Sequence, residues 1–100
     1  MTPLCKTSDV PKDDVVQVEL SDGHAVAVYN WEGEYHCTDD LCTHGEASLA
    51  DGEIEDGSII CPFHMGSFCI KTGEATAAPC SEPVRAYKVT VSGDQLLIDR

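Results

Sequence analysis

Apolar residues in this chain recur at every second position, which is the spacing of an extended strand and not of a helix. Val16, Val18 and Leu20 alternate with polar neighbours. The same alternation recurs in four later segments, at Val26 and Val28, Tyr35 and Cys37, Tyr87, Val89 and Val91, and Leu96 and Ile98. Turn-forming pairs separate the segments: Asp22-Gly23, Glu32-Gly33, Asp51-Gly52, Asp56-Gly57, Thr72-Gly73 and Ser92-Gly93. Short alternating strands with frequent turns predict an all-β fold, an antiparallel sandwich or small barrel.

The chain has the length of a single domain, which we take to span residues 1–100. We expect residues 1–12, which include Pro3 and Pro11, to form a loosely held N-terminal lead-in. One helical turn is expected within residues 46–50, and the sequence supports no long helix.

The chain carries no pattern typical of a membrane or secreted protein. Its longest apolar run, residues 25–29, is far shorter than the roughly 20 residues that a membrane-spanning helix needs. The first ten residues lack the basic stretch followed by an apolar stretch that marks a secretory signal. Six cysteines without such a signal are more typical of metal ligands in a reducing compartment than of disulfides. We therefore expect a cytoplasmic protein that does not cross a membrane.

The charge is strongly acidic and unevenly distributed. The formal net charge of −12 argues against binding to nucleic acid or to anionic membranes. No Lys or Arg occurs from residue 13 to residue 70, a span that holds thirteen of the eighteen acidic residues. A surface of one sign keeps a protein in solution and accelerates its association with an oppositely charged partner, an effect that salt weakens. The acids expected on such a solvated or docking face include Glu34, Asp39, Asp40, Glu46 and Asp51.

Two short segments interrupt the strand pattern. They are Cys42-Thr43-His44-Gly45 and Cys61-Pro62-Phe63-His64-Met65-Gly66. Each supplies one thiolate and one imidazole next to a glycine, which permits a tight turn. Two sulfur and two nitrogen ligands suit either tetrahedral zinc or a [2Fe–2S] cluster. Zinc fingers usually take their cysteines from one segment and their histidines from another, so the mixed segments favour the two-iron cluster and leave zinc as the alternative.

The pattern resembles the C-x-H…C-x-x-H ligand motif of the Rieske [2Fe–2S] proteins. The resemblance covers about residues 13–99 and is closest to the small Rieske ferredoxins of bacterial aromatic-ring-hydroxylating oxygenase systems. The segments CTHGEASLADGEIEDGSIICPFH, MGSFCIKTGEA and VTVSGDQLLI carry it. It implies an antiparallel β sandwich, the Rieske fold, with a small cluster-binding subdomain formed by two loops at about 42–47 and 61–68. It also implies one [2Fe–2S] cluster, whose ligands would be Cys42, His44, Cys61 and His64.

The resemblance implies a function as well. In that family a NAD(P)H-dependent flavoprotein reductase reduces the ferredoxin, which then reduces the Rieske centre of a terminal oxygenase. We therefore expect a soluble one-electron carrier and not an enzyme, with both partners docking transiently near His44 and His64. The alternative is a Rieske-type small subunit of another redox enzyme, such as assimilatory nitrite reductase. Packing or surface positions are expected for Cys5, Cys37, Cys69, Cys80, His24 and His36.

The chain departs from the Rieske subunits of cytochrome bc complexes at four positions. Their extra loop cysteines correspond to Ala47 and Phe63 here, so the disulfide of that branch cannot form. Their serine and tyrosine hydroxyls near the cluster correspond to Gly66 and Phe68. Hydrogen bonds to sulfur stabilise the added electron, so their loss lowers the reduction potential. The resemblance therefore implies a potential at the lower end of the Rieske range, about −150 mV.

Overall fold

The computed structural model describes residues 2–42, 47–62, 66–77 and 82–99, and these form ten strands and two short 3₁₀ helices. The strand pairs are antiparallel, which confirms the predicted fold class. No helix in these ranges is long and apolar enough to cross a membrane. The strands are β1 (Thr2–Lys6), β2 (Asp14–Glu19), β3 (Ala25–Trp31), β4 (Glu34–Asp39), β5 (Glu53–Glu55), β6 (Ser58–Ile60), β7 (Ser67–Cys69), β8 (Ala75–Ala77), β9 (Ala86–Ser92) and β10 (Gln95–Asp99). The 3₁₀ helices span Thr7–Asp9 and Leu49–Asp51.

The strands form one large sheet and one small sheet. The six-stranded sheet has the order β1-β10-β9-β4-β3-β2, and the four-stranded sheet has the order β5-β6-β7-β8. The large sheet consists of two three-stranded halves that meet where β4 pairs with β9. That junction is short, with Cys37 opposite Tyr87 and Thr38 opposite Ala86. The second cysteine segment lies between β6 and β7, so the small sheet carries it directly.

Strand β3 lies at the centre of the core. Ala27 and Tyr29 belong to one apolar cluster, whereas Val26 and Val28 belong to a second cluster. All four side chains are fully buried. Because successive side chains of a strand point to opposite faces, β3 is buried on both faces. This explains why the longest apolar run of the sequence falls here.

The expectation that residues 1–12 form a loosely held lead-in is wrong for the described part of that segment, residues 2–12. Strand β1 forms an edge of the large sheet and pairs along β10. Val10 is only 2% exposed, and its carbonyl accepts a hydrogen bond of 3.1 Å from the Asn30 side chain. Pro3 is compatible with a strand at the edge of a sheet, and the register shifts between Pro3 and Cys5. The prolines therefore mark an edge strand and not a loose segment.

The smallest elements were not predicted. Strands β5 to β8 have three residues each, too few to show an alternating pattern. The helical turn expected within residues 46–50 is a 3₁₀ helix at Leu49–Asp51. The residues just before this helix are paired with the segment that follows β4. Leu41 pairs with Ser48, and the Leu49 N–H donates to the Asp40 carbonyl at 2.7 Å, so the helix begins only at Leu49.

Two glycines allow backbone segments to approach each other around the small sheet. A side chain at Gly52 would overlap the carbonyl oxygen of Ile60, although the φ of Gly52 is an ordinary −88°. A side chain at Gly73 would overlap the carbonyl of Val84, and Gly73 also has a φ of +80°. At Asp51-Gly52 the glycine is needed for the close approach of Ile60 and not for its φ. The glycines of the other five predicted turn pairs have positive φ.

Candidate metal centre

The two predicted cysteine ligands are buried in one apolar cluster. Cys42 lies just beyond the end of β4 and is 1% exposed, and Cys61 follows β6 directly and is fully buried. Both belong to a cluster to which strands of both sheets contribute. The fold therefore brings two sulfur atoms from separate segments into the same part of the core. The other two predicted ligands, His44 and His64, lie outside the described residues.

The two cysteines occupy equivalent positions at the bases of two loops. The Cys42 N–H donates to the Ala47 carbonyl at 3.0 Å, and the Cys61 N–H donates to the Gly66 carbonyl at 2.7 Å. In both cases the acceptor lies five residues after the cysteine, so each hydrogen bond closes a loop of four residues. We call these closures the loop necks. Each neck fixes the backbone of one cysteine.

Strand pairing continues directly below each neck. Leu41 forms an isolated antiparallel bridge with Ser48, and Ile60 pairs with Ser67 in the ladder between β6 and β7. The residue before each cysteine is therefore paired with the residue that follows the loop. Strand pairing therefore holds the backbone at the base of each loop.

A buried carboxylate lies below the first neck. Asp40 is 3% exposed. Its Oδ2 accepts hydrogen bonds from Ser48 Oγ at 2.6 Å and Gln17 Nε2 at 2.7 Å, and its Oδ1 accepts one from the Ala50 N–H at 2.9 Å. The expectation that Asp40 lies on a solvated or docking face is wrong, because these three donors replace water around the buried carboxylate. Composition and spacing give no sign that Asp40 is buried.

Ser67, which follows the second neck, carries a neutral hydroxyl where the first neck has the Asp40 carboxylate. Ser67 Oγ and Thr76 Oγ1 are 2.6 Å apart, and Thr76 Oγ1 donates to Ser58 Oγ at 3.3 Å. Gly66 and Phe68 flank Ser67 and are both buried, Phe68 completely. The two loops thus have the same backbone closure but different polar support.

The other described cysteines lie apart from this pair. Cys37 belongs to the second core cluster, and burial is the main reason that its pKa is raised to about 12. Partial burial acts to raise the pKa of Cys69, but hydrogen bonds from Thr72 and the neighbouring backbone outweigh it and lower the pKa. Cys5 lies in β1, and Cys80 is outside the described residues. In the part of the chain that the structure describes, no group of three or more His, Cys, Asp or Glu side chains could hold a metal ion.

A separate polar network lies where the two halves of the large sheet meet. His24 Nε2 is 2.7 Å from Asp39 Oδ1, and the Tyr87 hydroxyl donates to the same oxygen at 2.5 Å. Burial, followed by this hydrogen bond, raises the pKa of Tyr87 to about 12, and the Arg85 guanidinium lies 5.0 Å from the ring centroid. His36 is half-buried on β4, and burial lowers its pKa. His24, Asp39 and Tyr87 link the two halves of the large sheet, and both histidines take the surface or packing positions expected for them.

The surface beside the two necks is both apolar and acidic. Leu41, one residue before Cys42, is 61% exposed, and Pro62, one residue after Cys61, is also exposed. A concavity of about 510 Å³ lies next to the second neck. It is lined by Asp51, Gly52, Glu53, Glu55, Ile60 and Pro62.

The described donors fit a site that takes one thiolate from each of two loops. Cys42 and Cys61 are withdrawn into an apolar cluster, and such a shell limits the access of water to a metal centre. Each loop also contains one histidine, two residues after Cys42 and three residues after Cys61. Two sulfur and two nitrogen donors divided in this way match the ligand chemistry of a two-iron cluster with mixed ligation.

Comparisons with known proteins agree with this chemistry. A family model described as the Rieske [2Fe-2S] domain matches residues 1–88. The ferredoxin component of the p-cumate 2,3-dioxygenase system of Pseudomonas putida is 46% identical over 97 residues, which cover 96% of this chain and 82% of that protein. The solved structure of the Sphingomonas yanoikuyae B1 ferredoxin has a TM-score of 0.93 at 45% identity and covers 98% of this chain and 96% of that one. A chain in the complex of reduced oxygenase and oxidized ferredoxin in carbazole 1,9a-dioxygenase has a TM-score of 0.89 at 32% identity, over 96% and 89% of the two chains.

Proposed function

Because the chain belongs to the Rieske [2Fe–2S] domain family, we propose that it is the ferredoxin component of an aromatic-ring dioxygenase system. It is an electron-transfer protein and not an enzyme, like the ferredoxin components that it resembles. Its cofactor is a Rieske-type [2Fe–2S] cluster, which supplies a one-electron couple. In this proposal the electron comes from a flavoprotein reductase that oxidises NAD(P)H, and it passes to the Rieske centre of a terminal oxygenase.

The proposed ligands are Cys42 and Cys61 on one iron and His44 and His64 on the other. The observation that carries this assignment is the pair of buried cysteines at two matching loop necks. We treat residues 1–100 as one Rieske domain. Its loops at about 42–47 and 61–68 form the cluster-binding part.

The ligand charges explain why such a centre accepts an electron more readily than an all-cysteine cluster. Two ferric ions, two sulfides, two thiolates and two neutral imidazoles sum to zero, whereas four thiolates would give −2. An electron is added more easily to a neutral centre than to an anion. Gly66 and Phe68 offer no hydroxyl to sulfur, so the proposed potential lies at the lower end of the Rieske range, about −150 mV.

The surface beside the necks supports the proposed docking of both partners near His44 and His64. An exposed apolar side chain, Leu41, adjoins the first neck, and the acidic concavity adjoins the second. The sequence around them has no Lys or Arg from residue 13 to residue 70. Partners with basic surfaces would be attracted to this end of the molecule, and salt would weaken the attraction.

A reducing compartment fits the state of the cysteines. Cys5, Cys37 and Cys69 are free thiols in the described structure, and such thiols persist where glutathione and thioredoxin keep them reduced. We therefore place the protein in the cytoplasm, where NAD(P)H is also available.

Spectroscopy of aerobically purified protein tests the cofactor and its ligands. We expect a red-brown protein that is EPR-silent when oxidised. After dithionite reduction it should give a rhombic signal whose average g lies below that of all-cysteine clusters. Replacement of His64 by Cys should lower the potential by adding negative charge if the cluster is retained. A colourless protein that contains zinc and no acid-labile sulfide would overturn the assignment, provided that zinc has not refilled an empty site during expression.

Reconstitution tests the place of the protein in the electron-transfer chain. The reduced protein should be reoxidised by a purified aromatic-ring dioxygenase in the presence of substrate and oxygen, and reduced again by NAD(P)H with the reductase. Stable copurification with a large flavin or sirohaem subunit would instead support the alternative, a small subunit of nitrite reductase. The named dioxygenase ferredoxins, at 46% and 39% identity, favour the first outcome.

A further inference from the structure

The side chain and main chain of Asp40 connect the two sides of the first loop. The carboxylate accepts hydrogen bonds from Ser48 and Ala50, which follow the loop, and from Gln17 on β2. The Asp40 carbonyl accepts a fourth hydrogen bond, from the Leu49 N–H at 2.7 Å. The residue that enters the loop is therefore tied to three consecutive residues that leave it. Only the Gln17 contact reaches a different strand.

A charged group is not needed to close a loop of this kind. The second neck has the same backbone closure, and the Ser67 hydroxyl beside it lies 2.6 Å from Thr76 Oγ1 on β8 and does not bridge the loop. Burying a carboxylate is costly even when hydrogen bonds satisfy it. The difference between the two loops therefore points to a function for the charge of Asp40 in addition to the hydrogen bonds.

The charge of Asp40 acts on the core that contains the cysteines. No Lys or Arg is paired with Asp40 among the described residues, and the surrounding sequence has none from residue 13 to residue 70. Burial is the largest cause of the raised pKa of Tyr29, and the charge of Asp40 contributes to the same shift. Tyr29 belongs to the apolar cluster that also contains Cys42 and Cys61. Asp40 and Cys42 are two residues apart, so their α carbons lie within about 7 Å of each other. The buried charge is therefore close to one of the two sulfur atoms.

We propose that Asp40 is a positioning residue for the iron–sulfur site: it holds the Cys42 loop closed, and its charge lowers the reduction potential. This inference rests on the ligand set proposed above. A nearby negative charge opposes the addition of an electron, and the opposition is strongest where water is excluded. The same hydrogen bonds that fix the carboxylate also fix the backbone that presents Cys42.

Asp40→Asn tests both parts of the proposal, with Asp51→Asn as the matched control. Asp51 is exposed and lies in the same stretch of chain, so the control removes an equal charge without disturbing the neck. For the holoprotein we expect Asp40→Asn to raise the reduction potential measured by voltammetry. We also expect the release of iron and sulfide to a chelator to be about tenfold faster, at the lower end of effects seen for groups that orient metal ligands. Asp51→Asn should release the cluster at the wild-type rate and shift the potential less.

Gln17→Ala separates the hydrogen bonds from the charge. The Gln17 side chain is largely exposed, so its removal spares the core and keeps the carboxylate. Cluster release should be faster than in the wild type, while the potential should not rise. Hydrogen exchange of the Ala50 amide, which donates to Asp40, should be accelerated in both Asp40→Asn and Gln17→Ala. If both variants only lost stability, neither would be expected to raise the potential. A rise in Asp40→Asn without a rise in Gln17→Ala is therefore an effect of the charge.

The proposal is overturned if Asp40→Asn has the potential and release rate of the wild type, or if Asp51→Asn shifts the potential by as much. If Asp40→Asn does not fold, Gln17→Ala decides, and an unchanged release rate overturns the positioning role. A wild-type protein that never shows the rhombic EPR signal would overturn the proposed function instead. The two failures are therefore distinguishable.

Discussion

At the scale of single residues, neither Gly66 nor Phe68 carries a hydroxyl that could donate to sulfur at the proposed cluster. We expect Gly66→Ser together with Phe68→Tyr to raise the reduction potential measured by voltammetry, since hydroxyl donors near sulfur stabilise the added electron. Phe68 is fully buried, so a hydroxyl there that found no partner would instead cost about 1–3 kcal/mol of stability. Phe68→Leu is the control without a hydroxyl and should not raise the potential. A loss of stability without a rise would show that these side chains do not reach sulfur.

Tyr87 makes the stability of the fold sensitive to alkaline pH. Its pKa is raised from 10 to about 12 by burial and by its hydrogen bond to Asp39. The folded state therefore binds this proton more tightly than the unfolded state, so the stabilisation is complete below pH 10 and is lost as the pH rises towards 12. Denaturant unfolding should show a shallower alkaline decline in the free energy of unfolding for Tyr87→Phe than for the wild type. Equal declines would contradict this assignment, because Cys37, whose pKa is also raised, is present in both proteins.

The residue types at the site could be predicted more fully than the orientation of their neighbours. Cysteine and histidine at this spacing have few uses other than metal binding, so Cys42 and Cys61 can be proposed as ligands from sequence alone. Asp39 and Asp40 are identical adjacent residues, and nothing local distinguishes them. Asp39 forms hydrogen bonds with His24 and Tyr87 at the large sheet. Asp40 is buried and accepts hydrogen bonds from Ser48 and Ala50, which follow the loop. That difference depends on where the chain leaves β4, which only the fold decides.

At the scale of elements, the turn before β8 is held against the segment that leads into β9. Gly73 and Gly23 both have positive φ, +80° and +88°, but only Gly73 has the Val84 backbone where a side chain would lie. Gly23→Ala should cost about 1–2 kcal/mol, the usual cost of a left-handed conformation in a residue other than glycine. Gly73→Ala should cost clearly more in the same denaturant experiment. Equal costs would show that this contact contributes nothing to stability.

Strand length explains which elements could be predicted. Strands β2, β3, β4, β9 and β10 have five to seven residues, enough for an alternating pattern to appear. Strands β5 to β8 have three residues each and are stabilised by their neighbours, so no local pattern identifies them. Strand β1 was missed for another reason, because Pro3 suggested a loose segment and its pairing partner, β10, lies at the other end of the chain.

At the scale of the whole molecule, the uneven charge predicts how the protein meets its partners. The rate of electron transfer to the terminal oxygenase should fall with ionic strength, because salt screens the attraction between opposite charges. Glu53→Gln with Glu55→Gln, beside the second neck, should reduce the rate at low salt more than Asp94→Asn with Asp99→Asn. Both pairs of side chains are exposed and carry the same charge, so the comparison tests position alone. A rate independent of salt, or equal effects of the two pairs, would contradict electrostatic steering.

The two loop necks also bear on the speed of electron exchange. Each cysteine is held by a backbone hydrogen bond and by strand pairing at the preceding residue, so the backbone that presents each cysteine is fixed by the fold itself. Preorganised dipoles do not have to reorient when charge appears. We therefore expect these two backbone segments to contribute little to the reorganisation energy of electron exchange. The paired necks thus suit a protein whose partners need to stay bound only long enough for a single tunnelling event.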